Sequence, residues 1–382
     1  MPEQVWPLPF STTVVFFIYR VFFMAFKNRL LLIVTILLAP AVLLTGCTSA
    51  PQIRHESIFY PPLPEKPRLQ FLTAISSEED LTDKKAGLDD FILGGKETDK
   101  TMGRPYAAQA TRGKIYLTDR VTSDILLIDL LKNTMRPLHV GGQGALQTPS
   151  GIWITDDGSK YVADLKRKQV VVFDSEDSFV TTLGDATSLE RPVDVAVYGE
   201  RVYVCDMQKH QVVVFDRVTG KLLTAIGKPG DKDGEFNRPT HITVDRQGNL
   251  IVNDAFNFRI QKFTPDGKFI RQIGVAGNTP GSMARPKGVV TDHDGNLYVV
   301  DAAFENVQIF NPEGKLLLFF GGAGLEPGSM YLPAGIAIDY VNAPYFQKYT
   351  DENFRIKYLV YVCNLTGNNR LNVYGFGDWI GK

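Results

Sequence analysis

Cysteine is scarce in this chain: Cys47, Cys205 and Cys363 are the three in 382 residues. They form no C-x-x-C or C-x-x-C-H pair, which excludes covalent haem attachment and a paired-cysteine zinc site. Histidine is almost as rare, with five copies, and no H-E-x-x-H, G-x-S-x-G or P-loop motif occurs. Neither sign of charge dominates. Lys and Arg number 41 against 42 Asp and Glu, a net charge of −1, so wholesale attraction to nucleic acid is not expected. Long apolar runs are also missing. The run from Leu30 to Leu44 falls short of the roughly 20 residues that a membrane-crossing helix needs.

That run reads instead as a targeting signal. Lys27 and Arg29 precede it, and Leu44-Thr45-Gly46-Cys47 follows. A basic flank, a short apolar stretch and small residues before a cut site make a secretory leader. The L-T-G-C ending resembles the bacterial lipobox. This resemblance implies cleavage behind Gly46 and lipid attachment to Cys47, which then anchors the chain to a membrane. Thr48 and Ser49 follow, with no aspartate, a pattern that resembles outer-membrane sorting in Gram-negative cells. The expected location is the cell envelope, on the periplasmic or the cell-surface side of the outer membrane. Residues 1–46 are assigned to the signal peptide. Met24 opens a compact signal of its own and is a second candidate start. Residues 47–64, with Pro51, Pro61, Pro62 and Pro64, read as a lipidated tether, and residues 65–382 as the folded domain.

What the chain has in quantity is glycine, proline and aromatics: 34 Gly, 22 Pro, 24 Phe and 15 Tyr. That is the composition of many short strands and tight turns. A proline recurs at 105, 149, 192, 239, 286 and 333, and each opens a unit of similar pattern. The fifth unit reads RPKGVVTDHDGNLYVVDAAFENVQIFNPEGKLLLFFGG and the fourth RPTHITVDRQGNLIVNDAFNFRIQKFTPDGKFIRQIG. Each parses as four strands, a to d, divided by D-G-N and P-[DE]-G-K turns, in which Asp and Asn tolerate and Gly supplies positive φ. Six such units predict a six-bladed β-propeller of four-stranded blades. The pattern resembles the NHL-repeat family, most closely in units four and five, over residues 104–376.

The last unit stops before a strand d. PRLQFLTAIS (67–76) has the character of the missing strand and is expected to complete blade six and close the ring. Cys205 and Cys363, in the opposed blades three and six, are expected to be free thiols.

Loops on a rigid scaffold carry most function, so the face with the d–a and b–c connections is the first place to seek a site. Asp119, Asp164, Asp206, Asp254, Asp301 and Asn364 end the six strands b and are expected to bind backbone N–H groups. Arg104, Arg191, Arg238 and Arg285 precede the repeat prolines. They are expected to pair with aspartates between blades; the alternative is that they gather an anion. Two residues after each proline stand Ala107, Gly151, Asp194, His241, Gly288 and Gly335. Asp194 and His241, with His210 nearby in the repeat, form the candidate axial ligand site. Resemblance to NHL-type lyases implies zinc on three axial histidines, which this chain does not supply. No metal site and no cofactor are expected. An insertion at 340–358 carries Tyr345, Phe346, Tyr349 and Phe354 as candidate partner-binding aromatics; packing beneath the propeller, where they would cover its pore, is the other reading.

The expected function is a membrane-anchored extracytoplasmic module that binds a protein or ligand. A weak likeness to propeller lipoproteins of surface and electron-transfer assemblies suggests the kind of protein partner. The alternative is a metal-dependent lyase or hydrolase at the axial mouth.

Overall fold

A computed structural model describes residues 57–82 and 101–381. Cys47 (expected to carry the lipid), the expected leader and most of the expected tether lie outside the described residues.

Among the described residues the chain forms six antiparallel sheets; five repeat prolines begin an inner strand, and Pro239 stands two residues before one. Blade one comprises Pro105–Thr111, Lys114–Asp119, Asp124–Asp129 and Thr134–Pro137; blade two Pro149–Ile154, Lys160–Asp164, Gln169–Phe173 and Phe179–Leu183. Blade three is built from Pro192–Tyr198, Arg201–Asp206, Gln211–Asp216 and Leu222–Ile226. Blade four follows with His241–Val244, Leu250–Asp254, Arg259–Phe263 and Phe269–Ile273, and blade five with Pro286–Thr291, Leu297–Asp301, Asn306–Phe310 and Leu316–Gly321. Strand a of each blade is inner and strand d outer, as the expected six-bladed architecture requires.

Both faces of each blade are covered by neighbours, so a strand buries both of its side-chain rows. In Arg201–Asp206, Val202 and Val204 enter the core between blades two and three, while Tyr203 and Cys205 enter the core between three and four. Six apolar cores, one per blade interface, result. Cys205 and Cys363 are free and buried in different interfaces. Burial pushes both thiols upward.

Blade six closes the ring with residues from both ends of the chain. Pro333–Asp339, Phe354–Asn364 and Leu371–Trp379 supply strands a to c, and Leu69–Ile75 supplies strand d. The register runs from Leu69 opposite Phe376 to Ile75 opposite Leu371. A fifth strand, Ile58–Tyr60, pairs outside it. These three residues, read from the sequence as tether, belong to the sheet because Phe59 is buried against Phe354 and Trp379.

Among the described residues no helix is long and apolar enough to cross a membrane.

Candidate functional site

The six strands a run side by side about the axis, so close that most of them carry a small residue at the second position after proline. A Cβ on Gly335 would strike the backbone of Tyr106 and Ala107, and one on Gly288 the backbone of Ala334 and Ile336. A Cβ on Gly151 would overlap the Asp194 carboxylate.

Asp194 is buried and uses its carboxylate as a splice between blades. Oδ1 accepts the Val195 N–H at 2.9 Å, and Oδ2 accepts the Ile242 N–H of blade four at 3.0 Å. Burial raises its pKa to about 7, against the pull of those two donors.

His241 is 3% exposed. Its ring stacks on Tyr106, with centroids 5.4 Å apart and planes 16° from parallel. Tyr106 belongs to blade one and His241 to blade four, which stand opposite in a six-membered ring, so the stack crosses the axis. Arg120 lies over Tyr106, 3.5 Å from the ring centroid, and donates from Nη2 to Ser150 Oγ at 2.7 Å. Nδ1 of His241 meets Thr240 Oγ1 at 3.1 Å, while Nε2 is buried without a partner. Burial, with Lys287 and Arg120 nearby, holds this imidazole well below its usual pKa and therefore neutral.

On the a–b turn side of the stack the axis opens into a cavity of about 800 Å³. Its inner end is lined by Ala107, Asp194, His241, Gly288 and Gly335, and its walls rise to Trp153, Tyr198, Arg217, Arg246, His293 and Tyr340 at the turns. The sequence directed attention to the opposite face, whereas the funnel opens on this one. His293 and Tyr340 stack at 3.6 Å, and the His293 N–H donates to Tyr340 Oη at 2.8 Å. Arg217 donates to Asp157 Oδ2 at 2.5 Å and from Nε to Tyr161 Oη at 3.0 Å. The rim thus offers fixed aromatic planes and oriented charged groups.

The three candidate axial residues do not converge. Asp194 and His241 share the inner end of the funnel but are not hydrogen-bonded to each other, and Asp194 Oδ1 and Oδ2 and His241 Nδ1 turn to other partners. Nδ1 of His210 accepts the Arg238 N–H at 3.1 Å and lies 3.2 Å from the Phe236 carbonyl, which fastens it to the connection between blades three and four. Among the described residues no group of three or more His, Cys, Asp or Glu side chains is placed to hold a metal.

The ring of strand-b carboxylates has the expected structural role. Asp206 accepts N–H groups from Glu190 and Arg191 on one loop and from Gln208 and Lys209 on another. Asp301 does the same with Ala284, Arg285, Ala303 and Phe304. The arginines differ from expectation. Arg104, Arg191, Arg238 and Arg285 are exposed, and none forms an ion pair among the described residues. It is the backbone N–H of Arg104, Arg191 and Arg285 that meets a ring aspartate; the carboxylates are already taken by main chain or, in Asp254, also by Asn257, Arg259 and Gln261 of the same blade.

The aromatic insertion does not form an exposed patch. Phe346 and Phe354 are each 3% exposed, and Tyr345 and Tyr349 are half-buried. Ala343–Tyr349 is a 3-10 segment whose Phe346 packs against Tyr361 and Tyr349 in the core between blades six and one. Phe354 begins strand b rather than sitting in a loop. The burial expected on packing holds: Phe346, with Tyr345 and Tyr349 against it, fills the core between blades six and one, and Phe354 lies against Phe59; the four do not cover the pore, which opens into the funnel on this side. Tyr106, Arg120 and Lys287 escaped the sequence reading. Tyr106 and Lys287 depart from small residues one step earlier in the repeat register than the positions considered, and that departure was the available signal.

A family described as a 6-bladed beta-propeller matches residues 184–262. Short stretches are similar to two NHL-repeat proteins. Protein wech of Drosophila melanogaster is 37% identical over 51 residues, 13% of this chain and 6% of that protein. Protein lin-41 of Caenorhabditis elegans is 50% identical over 48 residues, 13% of this chain and 4% of that protein. The chain therefore spans a small fraction of the length of these relatives. Among solved structures, a protein of unknown function from Bacteroides thetaiotaomicron superposes with a TM-score of 0.54 at 18% identity, covering 80% of this chain and 75% of the other. An auxiliary nutrient binding protein from Bacteroides ovatus gives 0.52 at 13% identity, over 72% and 69%. A streptogramin B lyase gives 0.50 at 14% identity, over 72% and 84%. At these identities the likeness is one of fold.

Proposed function

We propose that this chain is an NHL-repeat propeller lipoprotein, anchored outside the cytoplasm through Cys47, that binds a ligand in its axial funnel. The observation that carries the reading is the axial cavity of about 800 Å³, with Asp194 and His241 among its lining residues. A volume of this order suits a small-molecule or peptide-tip ligand. Fixed aromatic planes at Trp153, Tyr198 and Tyr340, interleaved with Arg217 and Arg246, favour a ligand with a flat or ring-shaped apolar face and polar edges. A nutrient-binding propeller among the structural neighbours is consistent with a binding role.

Trp153 is a built-in reporter, because the other tryptophans are Trp6 in the leader and Trp379 on blade six. Screening oligosaccharides and short peptides against the lipid-free protein is expected to give saturable change in its fluorescence. Tyr340→Ala should weaken that binding at least tenfold while the fold persists. Hits that bind Tyr340→Ala and the parent equally would place the ligand elsewhere and refute the funnel. Anchoring has its own test: detergent phase partition should lose the protein to the aqueous phase in Cys47→Ser, and equal partition of the two forms would refute it.

A further inference from the structure

The other end of the axis is built from different chemistry. The first residues after the six prolines are Tyr106, Ser150, Val193, Thr240, Lys287 and Ala334, at the d–a and b–c end of the inner strands, with Tyr106 supplying one ring of the axial stack. Lys287 is half-buried there and has no hydrogen bond from its ammonium and no ion pair among the described residues. Burial lowers its pKa, and the nearby guanidiniums of Arg285 and Arg120 lower it further. Arg120 rests on Tyr106, and its Nε is buried without an acceptor. Directly beneath, His241 Nε2 is also buried without a partner. Arg104, Arg191 and Arg238 stand at the matching position before their own blades' prolines, where hydrogen bonds from their backbone N–H groups fix the main chain, and the Arg238 guanidinium lies over Phe256. None of these six cations forms an ion pair among the described residues.

Gathering like charges at a partly desolvated position opposes folding unless a counter-charge offsets it. The protein elsewhere does not leave such groups unmatched: buried Lys160 meets Asp177 at 2.8 Å, and buried Arg259 meets Asp254 at 2.9 Å. We propose that the mouth on the d–a and b–c face binds a small polyvalent anion bearing carboxylate or phosphate groups. Arg120, Lys287 and Arg285 hold the charge, and the Tyr106–His241 stack forms the floor. A compact anion fits better than a polymer, because the inner cations are recessed between strands and the chain as a whole is slightly acidic, so the attraction is local. This site lies at the opposite end of the axis from the funnel and does not depend on the reading given for it.

Titration calorimetry of the lipid-free protein at low ionic strength, with inorganic phosphate and separately with citrate as probes, tests the assignment. Saturable one-to-one binding of at least one probe is expected, and which one binds tells a phosphate ligand from a carboxylate ligand. Arg285→Gln and Lys287→Gln should each weaken it about tenfold or more, the size of one lost charge-assisted hydrogen bond. Lys315→Gln, an exposed lysine at the opposite face of blade five, should leave it unchanged. Arg285 is exposed, so its variant keeps the test valid if the Lys287 variant fails to fold. The proposal is overturned if neither probe binds at millimolar concentration, if Lys315→Gln weakens binding as much as Arg285→Gln, or if only an acidic polypeptide or nucleic acid binds.

Discussion

Blades five and six are neighbours with the same inner strands, yet they are assembled on different plans. Blade five is one unbroken stretch, Pro286 to Gly321. Its a–b turn is closed by Asp292, whose Oδ1 accepts the N–H groups of Asp294 and Asn296, with Gly295 at φ +81° where a side chain would strain the backbone. Blade six is stitched from segments near both ends of the chain, replaces the tight turn with a packed aromatic segment, and adds a fifth strand. The outer edge of blade five leaves Leu317 and Phe319 about half exposed, whereas that of blade six lies under Ile58–Tyr60. A regular repeat needs only local instructions. The seam of a closed ring needs long-range ones, and here they take the form of extra buried aromatic surface.

The largest test of that contrast is removal of residues 57–76. Blade six would lose two strands and the ring its closure, so the cooperative thermal transition should disappear. A truncated protein melting within a few degrees of the parent would break the closure account. Next comes Phe346→Ala, expected to cost about 3–5 kcal/mol, as buried aromatic truncations do. Leu317→Ala on the exposed edge of blade five should stay within about 0.5 kcal/mol. Urea titration of both variants measures the difference, and equal midpoints would mean the insertion is not part of the core.

A third test leaves the pair for the axis, where blades five and six carry Gly288 and Gly335 but blade three carries Asp194. The folded carboxyl has a pKa of about 7 against an ordinary value of 3.8. Between these values the unfolded chain gives up its proton while the folded one keeps it. The contribution of this residue to stability therefore falls as pH rises from about 4 to 7 and is level above that range, a total on the order of a few kcal/mol. Asp194→Asn should flatten that part of the stability profile. A parent profile no steeper than that of the variant would refute the assignment.

The smallest effect compares the latches at the ends of the two strands b. Asp301 collects four backbone N–H groups, whereas Asn364 accepts from Tyr331 and donates to Asn369. Asp301→Ala should cost roughly 2–3 kcal/mol and Asn364→Ala about 1 kcal/mol, the usual range for charged and neutral partners. Equal losses by chemical denaturation would show that the charge adds nothing.

Much of the fold could be read in advance because strand periodicity, turn residues and the proline spacing all report local geometry. The same is true of Leu69–Ile75, whose pattern copies a strand d wherever it stands in the chain. Three features were not legible in this way. Ile58–Tyr60 looked like tether, since three residues carry no period and Phe59 is defined by partners far along the chain. The aromatics at 345–354 looked like a sticky surface, since burial of a loop depends on an underside that only the folded hairpin creates. The arginines looked like salt-bridge partners, since composition cannot show that backbone groups already occupy the aspartates. For the site, the sequence singled out Asp194 and His241 on the axis. It could not show that Tyr106 from the far side of the ring would cap His241, because that meeting is fixed by ring geometry alone.

The seam also sets the order of events in folding. Ile75 pairs with Leu371, a contact spanning about 300 residues, and contacts of such separation form late because loop-closure entropy must be met first. Blades one to five can assemble as their own stretches become available, but the circle cannot close until strand c of blade six has emerged. A chain in the course of synthesis therefore keeps an open, unpaired blade six, and completion of the propeller coincides with arrival of strand c of that blade.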